Sequence, residues 1–252
     1  MRNIAKQLLG VSGKKKLKYL ILAFKSFFVF GDLNRLALIW GTDKWGEHWY
    51  TQHYNKHFKD FKYKKFNLLE IGVGGYEKPE KGGNSLRAWK YYFKKAYIFS
   101  VDIYDKSPHE EKRIKIFKGS QIDKLFLNNV CQEIGEIDII IDDGSHINEH
   151  IIETFKILFP KLKDGGIYVV EDLQTSYWKE YGGDNINLDN PESAINYFRS
   201  LVHCLNYKEF ASSKNYNPSY FDDNIFQIHF YHNMVFIYKL KNVEKTVGRF
   251  II

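Results

Sequence analysis

The chain is poor in the residues that define the more specialised protein classes. Among its 252 residues there are two cysteines, Cys131 and Cys204, far apart and without CxxC or Cys/His spacing. Neither a disulfide framework nor a zinc site is expected, and a reducing compartment, the cytoplasm, is the expected location. Only five prolines are present, and no stretch has the low complexity of a linker. Long apolar runs are missing too. The longest, Tyr19 to Phe30, is short and interrupted by Lys25, whereas a spanning helix needs ~20 apolar residues. No small-x-small cleavage site follows it. It reads as an amphipathic helix with a basic flank, expected to pack on its own domain or on a second subunit of a homo-oligomer rather than on a membrane.

What is there is globular. Hydrophobic residues make up 44% of the chain, and 20 Phe and 18 Tyr predict an aromatic core. The charge is basic, 37 Lys and Arg against 30 Asp and Glu. The excess gathers early, at Lys14, Lys15, Lys16 and Lys18, then at Lys59, Lys62, Lys64 and Lys65. Solvated lysines are the plain interpretation. The sharper one is a patch for an anionic acceptor, a nucleotide-linked sugar or a membrane surface, with nucleic acid disfavoured because no separate recognition module is present.

Residues 1 to about 40 have helical spacing, followed by an aromatic, histidine-rich stretch with no clean period (GTDKWGEHWYTQHYNKHF, 41–58). From Phe66 onward, strands alternate with helices. Strands are predicted at Asn67–Val73, Tyr97–Ile103, Arg113–Phe117, Ile137–Ile141 and Gly166–Val170. Helices are predicted at Ser85–Lys95, Ile122–Glu133 and Asn148–Phe159. A βαβ rhythm means a parallel sheet with right-handed crossovers. A helix at Glu192–Leu205 precedes two strands, Ile225–Phe230 and Met234–Leu240, joined by a tight turn. The predicted fold is α/β: a Rossmann-like, doubly wound sheet, mostly parallel with a C-terminal antiparallel hairpin, plus an N-terminal helical extension, a layout that resembles, at the level of fold, that of class I methyltransferases. Residues 1–58 are expected to pack as a helical and aromatic segment on a core domain of residues 59–252.

Two places carry chemistry. Glu70-Ile-Gly72-Val-Gly74-Gly75 follows a strand, where such folds place the first ligand-binding loop. Glycines after a strand can be a mere turn, but the next strand ends in Asp102, suited to ribose hydroxyls. Tyr76, Glu77 and Glu80 replace a phosphate cradle, which favours an adenosine ligand without phosphates, S-adenosylmethionine rather than NAD. The second place is Asp142-Asp143-Gly144-Ser145-His146 together with Glu171-Asp172, both at strand ends. If those strands are neighbours, four carboxylates share one ledge ~5 Å across. So many like charges require a partner, and a hard divalent cation such as Mg²⁺ suits oxygen ligands. Helix capping explains one acid per strand end, not two. His146 is placed for general-base work, or else it caps or packs; His150, a turn further on, is expected at the surface.

These stretches resemble the metal-dependent S-adenosylmethionine O-methyltransferases that act on macrolide sugars, of the mycinamicin VI 2''-O-methyltransferase type. The matching segments are GTDKWGEHWYTQHY (41–54), LLEIGVGGYEKPEKGGNSLRAWKYYF (68–93), VDIYDKS (101–107), IDDGSHINEH (141–150), GGIYVVEDLQTSYWKEYGG (165–183) and HFYHNMVFIYK (229–239). The resemblance implies Mg²⁺ held by Asp143, Glu171 and Asp172, with His146 and Asp143 as catalytic residues. It implies S-adenosylmethionine bound by Glu70, Gly72, Gly74, Ser85, Asp102 and Asp142, with Gln121 near the adenine. Thr42, Lys44 and Tyr50 would border the site, and Tyr50, Tyr177 and Trp178 are the candidate contacts to a sugar-containing acceptor. The implied reaction is methyl transfer to a sugar hydroxyl in a bacterial glycan, nucleotide-sugar or natural-product pathway. A nucleic-acid methyltransferase and a non-catalytic cofactor-binding scaffold are the rival readings; a scaffold would have no use for the ledge or the base.

Overall fold

The computed structural model describes residues 11–29, 31–211 and 216–244; the helical character expected for residues 1–10 lies outside them. Five strands run parallel: β1 (Asn67–Ile71), β2 (Tyr97–Asp102), β3 (Ile114–Lys118), β4 (Ile137–Asp142) and β5 (Leu162–Val170). The antiparallel hairpin β6 (Ile225–Tyr231) and β7 (Met234–Lys239) completes the sheet, in the order β3-β2-β1-β4-β5-β7-β6. β4 shows why its sequence makes a central strand. Ile137, Ile139, Ile140 and Ile141 are covered on both faces, as parallel strands require. The order reverses at β1, between β2 and β4, and the crevice opens outside the strand ends at that switch point.

Helices cover both faces. On one lie α2 (Leu33–Trp40), α3 (Thr51–Phe58) and α4 (Asn84–Tyr92). Their Leu36, Trp40, Tyr54, Phe58 and Trp89 pack with Leu68, Ile139, Ile167 and Phe236. On the other lie α5 (Lys124–Ile134), α6 (Asn148–Leu158) and α7 (Ala194–Ser200), whose Leu127, Ile151, Phe155 and Phe198 pack with Leu69, Ile140, Tyr168 and Val170. Successive strand residues face opposite ways, so parity assigns the functional acids. Glu70 follows Leu68 onto the α2/α3 face, and Glu171 continues from Ile167 and Val169 to the same side. Asp142 continues from Ile140 toward α5 and α6. α1 (Val11–Phe28) lies outside α2 and α4, fastened by Trp40 Nε1 donating to Ser26 Oγ at 3.0 Å.

Three elements differ from the sequence-based expectation. Thr51–Phe58 is helical, because buried Tyr54 and Phe58, one turn apart, supply the apolar stripe that aliphatic residues usually make. The helix expected at Glu192–Leu205 is two pieces, α7 and α8 (Val202–Leu205), separated where Leu201 N–H tightens onto Phe198 O. β5 starts at Leu162 rather than Gly166, with a register shift against β4. Two short helices, α9 (Tyr207–Ala211) and α10 (Tyr220–Asn224), lead into the hairpin.

Phe155 anchors one aromatic cluster, with Phe159, Tyr168, Phe198 and Phe221 rings 4.9–5.4 Å away. Phe155→Ala is expected to cost about 3–5 kcal/mol, readable as a lower denaturant midpoint. Burial pushes the imidazoles of His57 and His109 down to about 4, helped by His229 and Lys56 for the first and Arg87 for the second. The unfolded chain protonates such groups near 6.5. The unfolded state therefore binds the extra protons. The share of stability that these two imidazoles control should be complete above pH 6.5 and lost as the pH drops toward 4, so the melting-temperature deficit of a His57→Gln variant should shrink below pH 6.5 relative to its value above it.

Candidate active site

The glycine loop after β1 is shaped by steric need. Gly72 has φ 96°, and a Cβ there would lie 2.1 Å from the Asp143 carbonyl oxygen. Only glycine lets the ends of β1 and β4 approach this closely. The loop closes back on itself, Gly83 N–H donating to Val73 O at 2.7 Å. Asp102 at the end of β2 accepts from Val73 N and Tyr104 N, both at 2.9 Å. A cleft of about 1010 Å³ opens here, walled by Gly72, Gly74, Ser85, Asp102, Gln121, Asp143, His146 and Asp172.

β4 and β5 are neighbours, with Asp142 beside Val170 in register, so the two acidic strand ends do meet. Between them sits Lys44. Its Nζ donates to Asp143 Oδ2 at 2.7 Å and to both Glu171 oxygens at 2.7 Å, and lies 3.6 Å from Glu70 Oε1. It is 1% exposed. Burial alone would lower its pKa, but Asp143, Glu171 and Glu70 hold it well above the ammonium range. Lys44 is delivered by the turn after α2, where Gly41 caps the helix in the left-handed conformation. Its carbonyl accepts from Tyr50 N and Thr51 N at the start of α3.

The remaining acids divide by depth. Glu70 is buried beneath the loop, accepting from Ser85 Oγ and Trp89 Nε1 at 3.1 Å, with Oε1 lacking a hydrogen bond. Burial raises its pKa to about 7 despite Lys44. Asp142 is buried on the opposite face, near Gln121 Nε2 (3.4 Å) and Tyr168 Oη (3.5 Å), and burial raises it to about 7 too. Glu171 also accepts from the Tyr54 hydroxyl, and burial lifts its carboxyl well above the usual range.

Asp172, by contrast, faces the cleft. Burial would raise its pKa, but a 2.6 Å hydrogen bond from Tyr50 and the nearby His146 and His48 hold it below the usual carboxylate range. His146 Nε2 lies 3.6 Å from Asp172 Oδ2 and 4.0 Å from Asp143 Oδ1. Both His146 (φ 58°) and Asp172 (φ 56°) are left-handed non-glycine residues. Such backbone costs of order 1–3 kcal/mol and persists where the surroundings enforce it. Gln121 is one such constraint, its Oε1 accepting from Ser145 N at 2.8 Å and its Nε2 donating to Thr154 at 2.9 Å.

The structure thus brings Gly72, Gly74, Ser85, Asp102, Gln121, Asp143, His146 and Asp172 onto one cleft wall. It places Glu70, Asp142 and Glu171 behind that wall, and Tyr50 behind Asp172. Tyr177 and Trp178 stand partly exposed on the following loop, where Tyr181, in ring contact with Trp178, reaches the cleft. His150 is half-buried rather than at the surface, lines the cleft and contacts Ser145 Oγ at 2.9 Å. Asp143, His146 and Asp172 each offer a ligand atom, all within 4.8 Å of one another. The two carboxylates on an open wall fit a divalent cation that keeps waters or substrate oxygens, with the His146 imidazole beside it. The glycine cradle ending at Asp102 fits an adenosine moiety.

The residues whose weight sequence reasoning missed are Lys44 and Tyr54. Both stand in the GTDKWGEHWYTQHY segment, but their partners are 99 to 127 residues away and give no local sign.

Sheet order, hairpin and glycine cradle together define a class I methyltransferase fold. Mycinamicin VI 2''-O-methyltransferase of Micromonospora griseorubida is 42% identical over 221 residues, 87% of this chain and 55% of that protein. Demethylmacrocin O-methyltransferase of Streptomyces fradiae is 44% identical over 221 residues, 87% and 56%. The crystal structure of MycE methyltransferase from the mycinamycin pathway, in complex with Mg and SAH, superposes with a TM-score of 0.85 at 41% identity, covering 88% of this chain and 57% of that one. No protein-family model matches. Over the shared region the chain belongs to the macrolide and deoxysugar O-methyltransferase family, and it spans a little over half the length of these relatives.

Lys44→Met removes the counter-charge from three carboxylates in a buried setting. The expected loss of stability is about 3–5 kcal/mol, read by denaturant unfolding, with Lys44→Arg losing less.

Proposed function

We propose that this chain methylates a hydroxyl of a sugar, taking the methyl group from S-adenosylmethionine in a Mg²⁺-dependent reaction. The observation that carries this function is the single cleft in which the glycine cradle opens directly onto His146 between Asp143 and Asp172. The names of the relatives support it, since they specify O-methylation of mycinamicin VI and demethylmacrocin. S-adenosylmethionine, when bound, supplies the electrophilic methyl group. Mg²⁺, when bound, supplies Lewis acidity that lowers the cost of ionising an aliphatic hydroxyl. Its assigned holders are Asp143, Asp172 and Glu171. The first two present oxygens to the cleft, and Glu171 stands behind them with Lys44 and Tyr54.

The chain's own groups divide the remaining work. Gly72 and Gly74 let the backbone approach the cofactor, Asp102 accepts its ribose hydroxyls, and Ser85 and Gln121 border it. His146 Nε2 accepts the acceptor's proton, and Asp172 stabilises the imidazolium that forms. Holding hydroxyl and methyl group in line supplies much of the rate. Tyr181, which lines the cleft, borders the sugar, with Tyr177 and Trp178 on the same loop outside the cleft lining.

The acceptor is assigned as an uncharged glycoside rather than a nucleotide-linked sugar. Asp43, Glu47, Glu80, Asp102, Asp143 and Asp172 line the cleft against Lys18 and Lys81, a balance that repels a diphosphate. Cys131 and Cys204 are free and buried, which suits work in the reducing cytoplasm.

Calorimetric titration with S-adenosylhomocysteine, with Mg²⁺ and with chelator, is the deciding experiment. Binding is expected in both, with methyl transfer to a deoxysugar glycoside only when Mg²⁺ is present; no binding in either removes the proposed function. His146→Ala should lower turnover about 10²–10⁴-fold and leave S-adenosylhomocysteine affinity unchanged. Turnover near that of the unmodified protein would reassign the base.

A further inference from the structure

Met1 to Gly31 contains seven Lys and Arg and no Asp or Glu, so the other residues carry 30 of each sign. The whole formal charge of +7 therefore resides in this one segment. Its described part is α1, and α1 has apolar residues on both sides. Tyr19 and Leu22 pack inward, as does Val29 just past the helix end. Facing outward at spacings of three and four are Leu17, Leu20, Ile21, Phe24, Phe27 and Phe28, with Leu20, Phe24 and Phe27 exposed by 68%, 67% and 70%. Exposed Lys16, Lys18 and Lys25 flank this stripe. A soluble surface rarely leaves so continuous an apolar patch unpartnered. Beside Phe27 the patch runs into a hollow of about 360 Å³ that Lys94 and Arg113 also line.

We propose that α1 is an interfacial helix that docks the protein on an anionic phospholipid surface, with the Leu/Phe stripe in the acyl boundary and the flanking lysines at the headgroups. Charge decides between occupants. A second copy docked through α1 would bring a second segment of seven positive charges and no acid to the same interface, whereas an anionic bilayer neutralises it. A nucleic acid would match the charge but leaves Leu17, Leu20 and Ile21 without a role. No helix among the described residues is long and apolar enough to cross a membrane, so the helix lies along the surface. Its inner side is fastened to the catalytic body by Trp40 on Ser26 (3.0 Å), by Arg87 over the Tyr19 ring (4.4 Å) and by Lys15 Nζ donating to Glu80 O (3.3 Å). Lys18 and Tyr19 also line the active-site cleft. Docking therefore sets the cleft mouth at the lipid surface, within reach of a glycan carried on a lipid.

The test is flotation of the whole chain with vesicles of phosphatidylcholine alone and of phosphatidylcholine mixed with phosphatidylglycerol. It reads the docking surface independently of methyl transfer. Binding is expected on the mixed vesicles and little on the neutral ones, and it should weaken as salt rises. Phe24→Ser/Phe28→Ser should abolish it, and Lys16→Glu/Lys25→Glu should weaken it about tenfold or more; unchanged melting temperatures would show that both variants fold. Failure to float at low salt overturns the proposal. So does a dimer in sedimentation velocity that the Phe24→Ser/Phe28→Ser variant loses while vesicle binding is absent. Binding to a single-stranded oligonucleotide that survives loss of the stripe, without vesicle binding, overturns it in favour of nucleic acid.

Discussion

The buried ammonium of Lys44 joins four parts of the chain at one point. Lys44 itself comes from the turn after α2, Glu70 from β1, Asp143 from the loop after β4, and Glu171 from the residue that follows β5. One cation thus ties the N-terminal segment to three strand ends. Removing one partner from such a cluster costs several kcal/mol, because the charges left behind have no water to solvate them. With Asp172 added beside His146, carboxylates still outnumber the lysine. That surplus faces the cleft, where a divalent cation or an imidazolium can balance it.

The backbone around this cluster is held where it would not settle alone. Gly72 allows β1 and β4 to close on each other, and left-handed His146 and Asp172 are kept in place by Gln121, Tyr50 and the packing beneath them. The rigidity serves orientation: an imidazole that must accept a proton at one point gains from arriving already aimed. The same organisation separates acids by depth. Glu70, Asp142 and Glu171 lie in low-dielectric surroundings that lift their pKa values, whereas Asp143 and Asp172 remain at the wall.

Much of the fold was legible because parallel strands leave a strong trace. Ile137–Ile141 could only be a buried strand, and the acids directly after it, like Asp102 and Glu171-Asp172, fall at strand ends where a doubly wound sheet opens. Helix α3 was not legible, since its buried stripe is Tyr54 and Phe58 amid polar residues, a pattern shared by many loops. The break at Leu201 depends on packing against the sheet and leaves no proline or glycine to mark it. The ledge itself was visible as a need for counter-charge. That a lysine from a distant turn meets part of that need was not, because nothing local links Lys44 to acids about a hundred residues on.

The sequence by itself determined the βαβ order, the glycine loop, the acidic strand ends and the histidine beside them, because each is written in contiguous residues and a local period. Tertiary structure decided which acids face the cleft, which are buried, and where the balancing cation sits. Those outcomes depend on strand parity across a sheet of seven and on contacts between residues far apart in the chain, and no local pattern encodes either.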